Sequence, residues 1–173
     1  MFALLGGMQI DWDRVDAFQV DERVAPDGDP DRNLTQLREN LPAGALGRLR
    51  PMPVTDEDLD AAAFDYEAEL AKPLDLVHLG LGPDGHTASL VPGDPVLEVT
   101  DRLVAPTGGE YQGRRRMTLT YPALADARRL FWLVAGEDKR DALAKLLAGD
   151  PSIPAGRVEA SDAVVLTDRA AAG

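Results

Sequence analysis

The sequence predicts a single α/β domain, a mostly parallel sheet flanked by helices, and three observations carry that prediction. Strand-like and helix-like segments alternate along the chain. Two strand-like segments, residues 74–79 and 130–135, are nearly continuous apolar runs, as expected where helices cover both faces of a sheet. Glycine-rich or charged segments follow three strands directly, where open α/β sheets bind their ligands. The 173 residues suffice for one core of ordinary size, so the domain is expected to occupy 1–173.

Residues 1–5 have the apolar character of a helix end, with Gly6 and Gly7 as its C-cap. Residues 15–20 alternate as a short strand that runs into Asp21, Glu22 and Arg23, before a loop marked by Pro26, Gly28 and Pro30. Residues 33–41 read as a short helix and 51–54 as an extended piece. Thr55 is placed to cap a helix reaching about Lys72, with Asp56, Glu57 and Asp58 in its first turn, where the helix dipole favours carboxylates. Pro73 ends it, and the strand at 74–79 follows.

A glycine-rich stretch, GLGPDGHTASLVPG at 80–93, comes next, with a short helix expected at 87–90. Strands are predicted at 102–105 and 117–121, separated by a loop at 107–113. A buried strand at 130–135 leads through a turn at Gly136 into an amphipathic helix at 137–147. A last strand at 164–167 precedes a tail of small residues.

Composition narrows the function. The chain carries no cysteine, which removes disulfide frameworks and thiolate metal sites, and only two histidines, His78 and His86, which makes a His-rich metal site hard to build. A net charge of −12 opposes non-specific attraction to nucleic acid or to an anionic membrane. No apolar run approaches membrane-spanning length and the first residues lack a basic leader, so the chain reads as cytoplasmic. An anionic ligand would have to be held by a local cluster of cations.

Three segments could form one site at the strand ends: Asp21 to Arg23, Gly80 to His86, and Gly136 to Lys139. The glycine-rich turn lacks both the P-loop pattern and the third glycine of a dinucleotide fingerprint, which disfavours a nucleotide. Gly80, Gly82 and Gly85 can shape a turn around an anion. His86 either acts as a general base near neutral pH or caps the short helix after it. Arg23 either grips a carboxylate or phosphate or pairs with Asp21 or Glu22. Lys139, in the first turn of a helix, sits badly with the dipole unless an anion is present or its exposed side chain points away; Arg116, heading a strand, has two similar readings.

Taken in order, DER at 21–23 with its Asp31-Arg32-Asn33 loop, GLGPDGHTASLVPG, RRRMTLTYPAL at 114–124, LVAGEDK at 133–139 and IPAGRV at 153–158 resemble the 6-phosphogluconolactonase family over nearly the whole chain. The resemblance implies a Rossmann-like fold of the sugar-phosphate isomerase/CoA-transferase type. It also implies hydrolysis of a phosphosugar lactone without a cofactor. His86 is then the base, Arg23 holds substrate or oxyanion, Asp84 orients His86, Lys139 and Arg116 take the phosphate, and Asp21 with Gly80, Gly82 and Gly85 completes the substrate site. Family members carry a first helix, a strand and a Ser-Gly-Gly turn for which the chain shows no counterpart, so an N-terminally incomplete domain is expected. Two other readings fit the same residues: a non-catalytic sugar-phosphate binder, or a fragment completed by a partner. A glucosamine-6-phosphate deaminase is disfavoured, because Ser89, Leu90 and Val91 stand where that related family supplies an additional acid.

Overall fold

The computed structural model describes residues 2–70 and 73–173. Among them, the strands are β1 Ala17–Phe18, β2 Asp21–Arg23, β3 Leu49–Arg50, β4 Val77–Leu79, β5 Val104–Pro106, β6 Arg116–Leu119, β7 Leu130–Val134 and β8 Ala163–Thr167. The helices are α1 Phe2–Leu5, α2 Asn33–Asn40, α3 Ala43–Leu46, α4 Leu59–Glu69, α5 Tyr121–Ala125, α6 Arg140–Leu147 and α7 Arg169–Ala172. A parallel sheet has the order β4-β7-β8, an antiparallel sheet the order β2-β6-β5, and β1 pairs in parallel with β3. Parallel ladders thus outnumber antiparallel ones, as predicted.

The core lies on one face of the parallel sheet. Val77 and Leu79 of β4 and Leu130, Trp132 and Val134 of β7 alternate into it, meeting Met117 and Leu119 of β6. Each fully buried side chain of this size contributes roughly 1.5–3 kcal/mol. The other face, with His78, Phe131 and Leu133, is only half-buried, so the continuous apolar runs overstate how completely the sheet is covered.

The strand expected at 15–20 is divided. Its last two residues leave β1, and β2 begins at Asp21 in the antiparallel sheet. Gln19 explains the break: its side chain is buried, donating from Nε2 to Glu22 at 2.9 Å and accepting from the Met52 amide at 2.9 Å. Its own amide donates to the Tyr66 hydroxyl at 2.8 Å. A polar side chain inside an alternating apolar pattern therefore redirects the chain.

Helix α4 is capped by Asp58, not Thr55: the Asp58 carboxylate accepts from the amides of Asp60 at 3.1 Å and Ala61 at 3.0 Å. A carboxylate next to the helix satisfies the free amides that Thr55 is too distant to reach. Leu59, Ala62, Ala63 and Tyr66 form its buried stripe at helical spacing, and Glu67 ties it to β5 by accepting from the amides of Leu103 and Val104. The helix closes at Glu69; Met1 and Lys72, included in the expected helices, lie outside the described residues.

Three further expectations change. Residues 87–90 form a tight turn rather than a helix, closed by the Leu90 amide on the Thr87 carbonyl at 2.9 Å, with Ala88 at φ 48. Tyr121 starts helix α5 instead of ending a strand, because Pro122 favours a helix's first turn and lacks a ladder donor. Residues 137–139 form a separate 3₁₀ turn before α6.

Candidate active site

The chain leaves β4 at Leu79 and enters a turn that folds back on itself. The Gly82 amide donates to the His86 carbonyl at 2.8 Å, and the Gly85 amide to the Gly82 carbonyl at 3.0 Å. Gly85 has φ +83, and a Cβ there would strike Ile153. A Cβ on Gly82 would collide with the His86 ring and come within 2.6 Å of Asp84 Oδ1. The 3₁₀ turn Pro154–Arg157 buttresses this loop from below, the Ala155 amide donating to the Gly85 carbonyl at 2.9 Å. Thr87 closes the upper side through its hydroxyl, which donates to the Gly80 carbonyl at 2.9 Å.

Asp84 does two things at once. Its Oδ1 accepts from the His86 amide at 3.2 Å and lies 2.5 Å from His86 Nδ1. Burial pushes the Asp84 carboxyl up, but the hydrogen bonds and charge of His86, with help from Tyr111, hold it below its ordinary range. An ionised carboxylate only accepts, so Nδ1 carries the proton, and in the neutral form of the ring the lone pair is on Nε2. With no helix at 87–90 to cap, the capping alternative for His86 falls away.

The cations come from elsewhere in the fold. The antiparallel register places Arg23 of β2 directly opposite Arg116 of β6. Like charges paired across strands repel, and they sit comfortably only when an anion lies between or beside them. Arg116 is 4% exposed; burial and the neighbouring Arg23 charge both lower its pKa. Its Nη2 donates to the Tyr111 carbonyl at 3.3 Å and to Gln112 Oε1 at 3.2 Å, while its Nε, like that of Arg23, has no hydrogen-bond partner among the described residues. Arg23 Nη1 donates to the Asp31 carbonyl at 2.7 Å, and among the described residues it forms no ion pair with Asp21 or Glu22.

Asp21 is tied into this group. It accepts from the Ser89 hydroxyl at 2.6 Å and from Asn33 Nδ2 at 3.1 Å, and it lies 3.9 Å from Arg116 Nη1. Lys139 reaches the same space from the loop after β7, with Asp138 at 2.9 Å from its ammonium.

Seven of the nine predicted site residues, His86, Arg23, Asp21, Gly80, Gly82, Arg116 and Lys139, line one cavity of about 1380 Å³. Asp84 stands behind the His86 ring and Gly85 at the back of the turn. One feature of the sequence reading changes: Asp21 to Arg23 do not follow a strand of the parallel sheet but form a strand of the antiparallel one. The sequence reading also missed Tyr111, Ser89 and Gln112. Gln112 and Gly113 form a two-residue turn with φ 55 and 75, and a Gln–Gly pair between polar neighbours is a weak turn signal. Among the described residues, no three His, Cys, Asp or Glu side chains converge to hold a metal, and no helix is long and apolar enough to cross a membrane.

Residues 1–167 match the family model for glucosamine-6-phosphate isomerases/6-phosphogluconolactonase. The chain is 40% identical over 187 residues to the 6-phosphogluconolactonase of Mycobacterium bovis, an alignment covering 95% of this chain and 74% of that enzyme. To the 6-phosphogluconolactonase of Streptomyces coelicolor it is 39% identical over 166 residues, covering 84% of this chain and 63% of the relative. The crystal structure of a 6-phosphogluconolactonase from Thermotoga maritima superposes with a TM-score of 0.86 at 28% identity, covering 96% of this chain and 78% of that one.

Proposed function

The chain belongs to the glucosamine-6-phosphate isomerase/6-phosphogluconolactonase family, and we propose that its cleft hydrolyses 6-phospho-D-glucono-1,5-lactone to 6-phospho-D-gluconate, a step of the oxidative pentose phosphate pathway. The observation that carries this reading is the Asp84–His86 pair, which leaves an imidazole with its Nε2 lone pair at the cavity wall. Water gives a proton to Nε2 as its oxygen bonds to the lactone carbonyl carbon. Charge develops on the carbonyl oxygen, where the Arg23 guanidinium stabilises it. The bond from that carbon to the ring oxygen then breaks, and Nε2 returns the proton to the departing oxygen. Asp84 keeps Nδ1 protonated and stabilises the imidazolium formed in between.

Arg116 and Lys139 hold the phosphate, with Asp21 and Ser89 fixing the Arg116 side chain. Arg23, Arg116 and Lys139 gather at this cleft in a chain of net charge −12, which supports a small anionic substrate over nucleic acid. The absence of cysteine agrees with a cytoplasmic setting.

The test is direct. The purified chain is expected to hydrolyse the lactone above the spontaneous background, and His86→Ala is expected to lose roughly 10²–10⁴-fold in kcat. An unchanged rate in that variant would remove His86 from the chemistry. If 6-phosphogluconate raises the melting temperature of a chain that never turns over, the cleft is a binding site only.

A further inference from the structure

We propose that Tyr111 is a positioning residue for both halves of this site, its hydroxyl setting the Asp84–His86 pair and its ring setting Arg116. The inference rests on the lactonase reading of the cleft and adds to it a residue outside the motifs that identify the family.

The geometry comes from a loop fastened at both ends. Near its start, the Asp94 carboxylate accepts from the amides of Gly108 and Gly109, both at 3.0 Å. Beyond the turn, Arg114 pairs with Asp29 at 3.2 Å and Asp31 at 3.1 Å. The two-residue turn at Gln112 and Gly113 joins Tyr111 to Arg114, the Tyr111 amide donating to the Arg114 carbonyl at 3.0 Å. A side chain on so short and tethered a turn has little freedom.

Tyr111 uses that placement three times. Its hydroxyl donates to Asp84 Oδ2 at 3.0 Å, the oxygen that His86 Nδ1 does not take. Its ring meets the His86 ring edge-on, with centroids 5.2 Å apart, and so limits imidazole rotation. The same ring lies under the Arg116 guanidinium at 5.0 Å, while the Tyr111 carbonyl accepts from Arg116 Nη2. Burial and the Asp84 carboxylate both raise the phenol above its ordinary value, so it stays a donor throughout the working range of a histidine base.

The consequence has a sign. A hydrogen bond into Oδ2 draws charge away from the carboxylate; without it, Asp84 favours the imidazolium more strongly and His86 holds its proton to higher pH. Asp84 and Tyr111 are the titratable groups in contact with His86, while Asp21, Arg23, Arg116 and Lys139 are charged groups that line the same cleft. Tyr111→Phe leaves those cations and the ring in place, so its effect reports the hydroxyl. Tyr111→Ala also removes the surface under Arg116.

The chain has only two histidines, so proton NMR titration of the imidazole C–H signals reads His86 without any turnover, with His86→Ala assigning the signal. In Tyr111→Phe the His86 signal is expected to titrate at higher pH than in the parent, with kcat falling roughly threefold to tenfold and KM unchanged. In Tyr111→Ala, KM is expected to rise about tenfold in addition. A His86 midpoint identical in parent and Tyr111→Phe would overturn the proposal, as would equal KM values in the Phe and Ala variants. If the parent protein shows no lactone turnover, the lactonase reading fails, while the NMR titration still decides whether Tyr111 sets the Asp84–His86 pair.

Discussion

Glu22 and Arg23 are neighbours on β2, and they bury charge in opposite ways. The Glu22 carboxylate is fully buried and saturated: it accepts from the amides of Arg23, Asn33 and Leu34, each at 2.8 Å, and from Gln19 Nε2, and it pairs with Arg32 at 3.1 Å. Two of those amides open helix α2, whose N-cap residue Arg32 makes no side-chain cap, so Glu22 caps the helix from outside. Arg23, one residue on, faces Arg116 across the ladder, and among the described residues neither Nε has a hydrogen-bond partner. A buried charge with every bond made holds a fold together. Buried or half-buried charges of like sign with donors to spare, lining a cavity, mark where a ligand supplies the missing half.

The largest test of this contrast is Glu22→Ala. It leaves Arg32 buried without its partner and uncaps α2, so we expect a loss of roughly 3–5 kcal/mol of stability by chemical denaturation. A loss under 1 kcal/mol would mean that the network does not anchor the fold. Gly82→Ala follows, at the opposite pole: its added Cβ pushes the His86 ring aside, and a displacement of that kind costs on the order of 10²-fold in kcat/KM, with the melting temperature little changed.

Arg23→Gln sharpens the comparison further. Removing one of two opposed cations is expected to leave stability equal or slightly higher, while kcat/KM falls roughly 10-fold to 100-fold, the worth of one hydrogen bond to a charged group. A marked loss of stability in this variant would place Arg23 with the structural charges instead.

The smallest effect separates Asp21 from Glu22 by pH. For Glu22, burial pushes upward, but the bonds from Gln19, the Arg23 and Leu34 amides and Arg32 prevail and hold it below 4.5. Its stabilisation is therefore present above the unfolded value and lost as pH falls through the folded one. Burial raises Asp21 above 3.8, against the opposing pull of Ser89, Arg116 and Arg23. Its contribution has the reverse sign, present in acid and lost as pH rises through the folded value. Melting temperatures measured from acid to neutral pH are expected to rise more steeply for Asp21→Asn than for the parent, and less steeply for Glu22→Gln.

Much of this site was readable from residue types in order. The glycines at 82 and 85, Asp84 and His86 lie within five residues, so their geometry is local and the turn chemistry alone places them. The parallel strands β4 and β7 were likewise announced by their apolar runs. Other features were not. Asp58 as the cap of α4 depends on where the first helical turn closes, and Thr55 offers an equally good pattern. Gln19 falls in an alternating strand pattern and Glu22 in the charged run after it, yet both are buried because α2, α4 and the segment at Met52 converge on them. Tyr111 falls in a stretch that reads only as a loop, and its three contacts join it to residues 84, 86 and 116.

By itself, the sequence determined the α/β class and the glycine turn that carries His86 and Asp84. Those follow from periodicity and from short-range chemistry, which act over a few residues of chain. Tertiary structure alone decided that Arg23 and Arg116 oppose each other, that Glu22 is an anchor, and that Tyr111 spans the Asp84–His86 pair and Arg116. These depend on strand register and on burial, which arise when segments distant along the chain meet and no single segment encodes them.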